Sequence, residues 1–234
     1  MNERAVFPLS APWTALFLGL LLLGIAPRAG FAADGDCRML KRHAALRAAP
    51  NQYATSLRPL ERGAIVRMGD RKAISDVVWQ YVLLPHTLKG WVQKDYLSFF
   101  DCDLLGKAKP SKILVGRWTT DPQLGKGFSF EFDATGSYRF HKPTYDMLTR
   151  LIAHSGTWGV VGDRIFVRTK KEERYIGGQI TTCNLDFYKG KCLSGGTVNN
   201  IPVAVQLWRQ IGQVVRTGGQ ISGIKVGKRM YSKR

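Results

Sequence analysis

Phe128-Ser129-Phe130-Glu131-Phe132 alternates aromatic and polar residues, and Asp133-Ala134-Thr135-Gly136 follows at once. A period of two puts the three phenylalanines on one face and Ser129 and Glu131 on the other, the pattern of a half-buried strand. The Asp-Ala-Thr-Gly run then supplies a hairpin turn with glycine placed for positive φ. Strand, turn and returning strand are thereby written into residues 128–141. The same punctuation recurs at Gly162-Asp163, between apolar runs at 156–161 and 165–169. From residue 112 onward, strands are predicted at 112–119, 128–133, 137–141, 156–161, 165–169, 175–185, 203–208, 211–217 and 221–226. Residues 170–174 read as a charged turn. Tyr145, Leu148, Leu151 and Ile152 have helical spacing and predict one short helix or lid within 143–154. Eight or so strands joined by hairpin turns describe an up-and-down meander closed, or nearly closed, into a barrel.

The first half is also all-β by pattern. Strands are predicted at 57–60, 64–68, 77–84 and 88–93. Gly69-Asp70-Arg71-Lys72 reads as a polar tip, Pro85-His86-Thr87 as a turn, and Lys94-Asp95-Tyr96 as a closing single turn. Short, evenly spaced strands argue for a small barrel. Gly106-Lys107-Ala108-Lys109-Pro110-Ser111 has the composition of an exposed linker between the halves.

The N-terminus reads as an export signal. Arg4 supplies a positive start, residues 13–25 are almost wholly apolar, and Pro27 breaks the run before Gly30-Phe31-Ala32. The apolar run is too short for a confident membrane span, and cleavage is expected after Ala32. An uncleaved anchor is the alternative. No cysteine directly follows the apolar run, which argues against lipidation, and the lone Arg4 argues against a twin-arginine route. Four cysteines in an exported chain predict two disulfides, with three connectivities open. Cys37–Cys102 and Cys183–Cys192 are chosen because each pair then lies within one candidate domain.

The whole chain carries a net charge of +18, or +17 without residues 1–32. The excess is concentrated late, since no acidic residue follows Asp186. That asymmetry points to an anionic envelope partner for the C-terminal half, or to solubility alone. Nucleic acid has the right charge but the wrong compartment. Lys225, Lys228, Arg229, Lys233 and Arg234 read as a basic tail, either an anion-binding arm or a solvated end.

Ala45-Leu46-Arg47-Ala48-Ala49-Pro50, Leu60-Glu61-Arg62-Gly63, Trp79-Gln80-Tyr81-Val82, Gly90-Trp91-Val92 and Tyr96-Leu97 occur in that order. Over most of residues 44–98 this resembles the bacterial SH3-like domains. Ala48-Ala49 departs from the family, which usually has Gly or Ser in that turn. The resemblance implies a binding module for wall peptides or proteins. Trp79 and Trp91 fit a small core, and Tyr53, Tyr81, Trp91 and Tyr96 are the candidate binding residues. Gly116-Arg117-Trp118, echoed by Gly156-Thr157-Trp158, is similar to the Gly-x-Trp element of lipocalins. That resemblance implies a first-strand tryptophan across a closed barrel end, covered by a late arginine, Arg209 or Arg216. The interior is expected to be filled by Phe128, Phe130, Phe132, Trp158 and Phe166.

The four histidines, His43, His86, His141 and His154, lack metal-ligand spacing, and no nucleophile elbow or phosphate loop is present. No cofactor and no catalysis are expected. The sequence therefore describes an all-β chain: a signal at 1–32, a small SH3-like barrel at 33–105, a linker at 106–111, and a lipocalin-like barrel with a basic tail at 112–234. The expected role is non-catalytic binding in a periplasmic or secreted setting, with peptidoglycan or an envelope protein as partner. An exported inhibitor or small-ligand carrier acting through the second barrel is the alternative.

Overall fold

The computed structural model describes residues 36–123, 127–143, 151–185 and 188–234, with the side chains of 180–194 left out. The export-signal reading of residues 1–32 lies outside the described residues. Among the described residues, no helix is long and apolar enough to cross a membrane.

Seven strands form the first sheet: β1 (Cys37–Leu40), β2 (Ala44–Arg47), β3 (Ser56–Leu60), β4 (Ile65–Ile74), β5 (Val77–Leu83), β6 (Lys89–Gln93) and β7 (Leu97–Phe100). They lie in the order β3-β2-β6-β5-β4-β1-β7, antiparallel throughout. Lys94–Tyr96 is a single 3-10 turn before β7, as the sequence predicts. Gly69-Asp70, however, is no hairpin tip. It forms a bulge inside β4, and the chain turns later, at Ser75 and Asp76. The buried Gln80 amide stabilises the bulge by donating to the Gly69 and Asp70 carbonyls at 2.8 and 3.0 Å. Leu40, Leu46, Leu60, Val66, Val82 and Val92 fill this sheet's core.

The second sheet begins with β8 (Gly116–Thr119), β9 (Ser129–Phe132), β10 (Ser137–His141), β11 (Leu151–Val161) and β12 (Arg164–Ile176). A separate hairpin, β13 (Gln179–Leu185) and β14 (Tyr188–Ser194), and the strand β15 (Thr197–Pro202) follow. The set ends with β16 (Trp208–Thr217), β17 (Gln220–Val226) and β18 (Arg229–Lys233). The ring β8-β9-β10-β11-β12-β16-β17-β18 closes when β18 pairs with β8, giving an eight-stranded antiparallel barrel. β15 extends it along the far half of β12.

Lys170 to Arg174 is part of β12. A bulge there admits an extra residue, and Glu172–Arg174 and Glu173–Arg139 pairs neutralise the charge that looked like a turn. Leu151 and Ile152 belong to β11, while 144–150 lies outside the described residues. Residues 203–207 are irregular and send Val205 and Leu207 against the first sheet's core. The basic tail is the end of β17, a turn and β18, with Tyr231 buried in the barrel. Arg229 lies 4.0 Å from the Phe128 ring centroid and Lys233 5.9 Å from that of Trp118, so both cations cover aromatic faces. Trp118 donates to the Leu114 carbonyl at 2.8 Å, and Lys233 takes the place expected for an arginine. Arg209 instead pairs with Glu61, just after β3, and Arg216 with Asp163.

Phe128, Phe130, Phe132 and Trp158 fill the barrel together with Trp118, Tyr138 and Tyr231. Phe166 does not. Its neighbours Ile165 and Val167 point inward, so alternation turns Phe166 outward, edge-on to Phe100 at 5.8 Å. With Cys37 and Ile65, these two rings form a third core shared by both sheets. The linker is docked rather than free: Lys109 exchanges backbone hydrogen bonds with Val160. Gly35–Arg234 accordingly forms one compact unit. A disulfide joins Cys37 to Cys102 with Cα atoms 5.4 Å apart. The Cys183–Cys192 pairing falls on side chains outside the described residues.

Candidate functional site

The hairpin β5–β6 sets Tyr81 directly opposite Trp91. Their rings meet at 5.0 Å between centroids, tilted by 59°. Both are half-buried, whereas Trp79 is core. Gly69 in the β4 bulge lets the Tyr81 ring approach the backbone closely, since a Cβ there would stand 2.9 Å from its Cδ1. On the other side of Trp91 stands Arg47 of β2. Its guanidinium donates to the Ala54 carbonyl at 2.8 Å and so fixes the 48–55 loop. At that loop's apex the Tyr53 amide donates to Asn51 Oδ1 at 2.7 Å, and the Tyr53 side chain is 87% exposed. The result is a ledge: two packed aromatic rings, one cation beside them, and one exposed tyrosine on a braced loop.

Tyr96, the fourth candidate, is engaged elsewhere. The Arg42 guanidinium lies 3.8 Å from its ring centroid, and the ring packs on the first sheet's core. Arg47 is absent from the residues the sequence nominates for binding, although it opens the Arg-Ala-Ala-Pro turn, and its place in that motif is the available signal.

The barrel offers different chemistry. Tyr138 Oη lies 3.0 Å from His154 Nδ1 and 2.7 Å from Thr169 Oγ1, all within the wall strands β10, β11 and β12. Burial pushes the His154 imidazole down to about 4, and burial raises the Tyr138 phenol well above its ordinary range. Both groups stay neutral over the physiological range, so the network satisfies buried polar atoms without a charge. Among the described residues, no group of three His, Cys, Asp or Glu side chains could hold a metal ion.

Compared with known proteins, the chain matches no family model, no curated protein and no solved structure.

Proposed function

We propose that this is an exported, non-catalytic binding protein of the cell envelope, and that the Tyr81–Trp91 ledge recognises a peptide of the wall or of a wall-associated protein. The observation that carries the reading is the half-buried aromatic pair with Arg47 opposite Trp91 on the neighbouring strand. Flat aromatic faces bind extended chains at low conformational cost, and an adjacent guanidinium pairs with a carboxylate of the same ligand. The Cys37–Cys102 disulfide points to an oxidising compartment. The SH3-like order of motifs and the apolar N-terminal run support a periplasmic or secreted location. The carrier alternative is weakened by the aromatic filling of the barrel.

The test is co-sedimentation with purified peptidoglycan at low and high salt. Trp91→Ala and Tyr81→Ala are expected to lose roughly tenfold or more in affinity, with the difference persisting at high salt. If both bind like the unaltered protein, the ledge is not the site. If binding disappears with salt in every variant, net charge alone accounts for it.

A further inference from the structure

Strands β8, β9 and β10 carry a cleft of about 260 Å³ on the outer wall of the barrel, lined by Arg117, Ser129, Glu131, Arg139 and His141. Register accounts for the set. Phe128, Phe130 and Phe132 take the inner face of β9, so Ser129 and Glu131 face outward. Glu131 stands between Arg117 on one side and Arg139 on the other. In the next row Ser129 stands opposite His141. An Arg-Glu-Arg row and a Ser-His row thus lie side by side.

The two arginines are not equivalent. Arg139 is anchored by Glu173 Oε2 at 2.8 Å. The nearest carboxylate oxygen to Arg117 is Glu131 Oε1, at 3.8 Å from Nε, beyond hydrogen-bond reach. That Nε is shielded from solvent and has no hydrogen-bond partner among the described residues. The Arg117 side chain as a whole is 40% exposed and lines the cleft, so an incoming oxyanion reaches the guanidinium from its solvent side, and an oxyanion is the acceptor best matched to its fork. His141 Nδ1 donates to the Lys142 carbonyl at 2.8 Å.

We propose that this cleft binds an acidic sugar, a single ring bearing a phosphate or carboxylate. Arg117 donates to the oxyanion. Glu131 takes a neighbouring hydroxyl, and this excludes an anion lacking one from the full set of contacts, while Ser129, 2% exposed, lies at the floor of the cleft. The volume lies just below the ~300 Å³ where drug-sized sites begin, which suits one ring. The site is on the barrel, chemically distinct from the aromatic ledge and independent of it.

The experiment titrates the full protein with glucose 6-phosphate, glucuronate, glucose and inorganic phosphate, and follows amide resonances. Saturable shifts clustered at 117, 129, 131, 139 and 141 are expected with the two acidic sugars. Which of them binds more tightly tells phosphate from carboxylate. Glucose is expected to give none, and inorganic phosphate a weaker response. Arg117→Gln and Arg117→Lys are each expected to weaken the acidic sugars about tenfold, because lysine keeps the charge and loses the fork. Arg216→Gln removes an equal charge elsewhere on the barrel and is expected to change nothing, as is Trp91→Ala. The amide spectrum of each variant reports whether it is folded. Two outcomes overturn the proposal: no saturable shift with either acidic sugar, or equal losses in Arg117→Gln and Arg216→Gln with none in Arg117→Lys, which would show diffuse charge only.

Discussion

His154 sits where a positive charge is disfavoured. Its ring is buried against Phe140 and bonded to Tyr138, and its folded value is about 4 against an ordinary 6.5. The unfolded chain therefore binds a proton that the folded chain refuses between these two values. Stability from this residue is complete above about pH 6.5 and falls as the pH drops toward 4, by roughly 3 kcal/mol in all. Urea unfolding from pH 7 to 4 reads this out. His154→Phe is expected to flatten the part of the slope that His154 contributes. An unchanged difference between pH 7 and pH 4 in that variant would assign the slope to the carboxylates. A second single-residue prediction concerns Gly63, at φ +81°, whose Cβ would collide with the Gln210 carbonyl oxygen across the sheet junction. Gly63→Ala is expected to destabilise by about 2 kcal/mol or more, measured by the same urea titration.

At the scale of the element, β18 decides whether the barrel exists. It pairs with β17 on one side and β8 on the other, so the ring closes only through residues 229–233. Tyr231→Ala removes a buried ring that meets Phe130 at 5.3 Å and is expected to cost roughly 3–5 kcal/mol. Lys228→Ala, on the exposed turn beside it, is expected to stay within about 0.5 kcal/mol. Thermal unfolding compares the two. This strand also shows where sequence reading fails. Arg229, Tyr231 and Lys233 share one face, and two cations on a face look like solvent. Both stay exposed at the ends of the strand, yet each lies over an aromatic ring from a distant part of the chain, which pattern cannot foresee. The charged stretch of β12 misled for a similar reason, its partner Arg139 being on β10. By contrast, the alternating phenylalanines and the 133–136 turn carry their own local signal. The Thr135 amide closes that turn onto Asp133 Oδ1 at 2.6 Å. The ledge was half legible: Tyr81 and Trp91 were recognisable as aromatic strand residues, but their juxtaposition depends on the register across the 85–87 turn. Tyr96 looked equally available because nothing local reveals Arg42 over its ring.

For the whole molecule, the question is whether two sheets make two domains. Sequence division at residues 106–111 treats the halves as separable, yet Phe100 and Phe166 share one buried cluster. Glu61 pairs with Arg209, Gly63 bonds Gln210, and Val205 packs beneath the first sheet. Phe166 is wholly buried only because the first sheet covers it, so either half alone would expose apolar surface that the pair hides. Unfolding is therefore expected as one cooperative transition, with the aromatic probes of both sheets coincident. Phe166→Ala is expected to cost roughly 3–5 kcal/mol, and to lower the midpoint of both probes together. The disulfide acts on the same unit. It closes a loop with a sequence separation of 65, and reducing it is expected to cost about 4 kcal/mol on the chain-entropy model. Side-chain resonances of Tyr81 and Trp91 in the first sheet and of Trp118 and Trp158 in the barrel, followed through one urea titration, distinguish the cases. If Phe166→Ala splits the curve so that the first sheet melts early and the barrel late, the junction is the sole coupling. If the unaltered protein already shows two separated midpoints, the shared core does not bind the sheets into one folding unit.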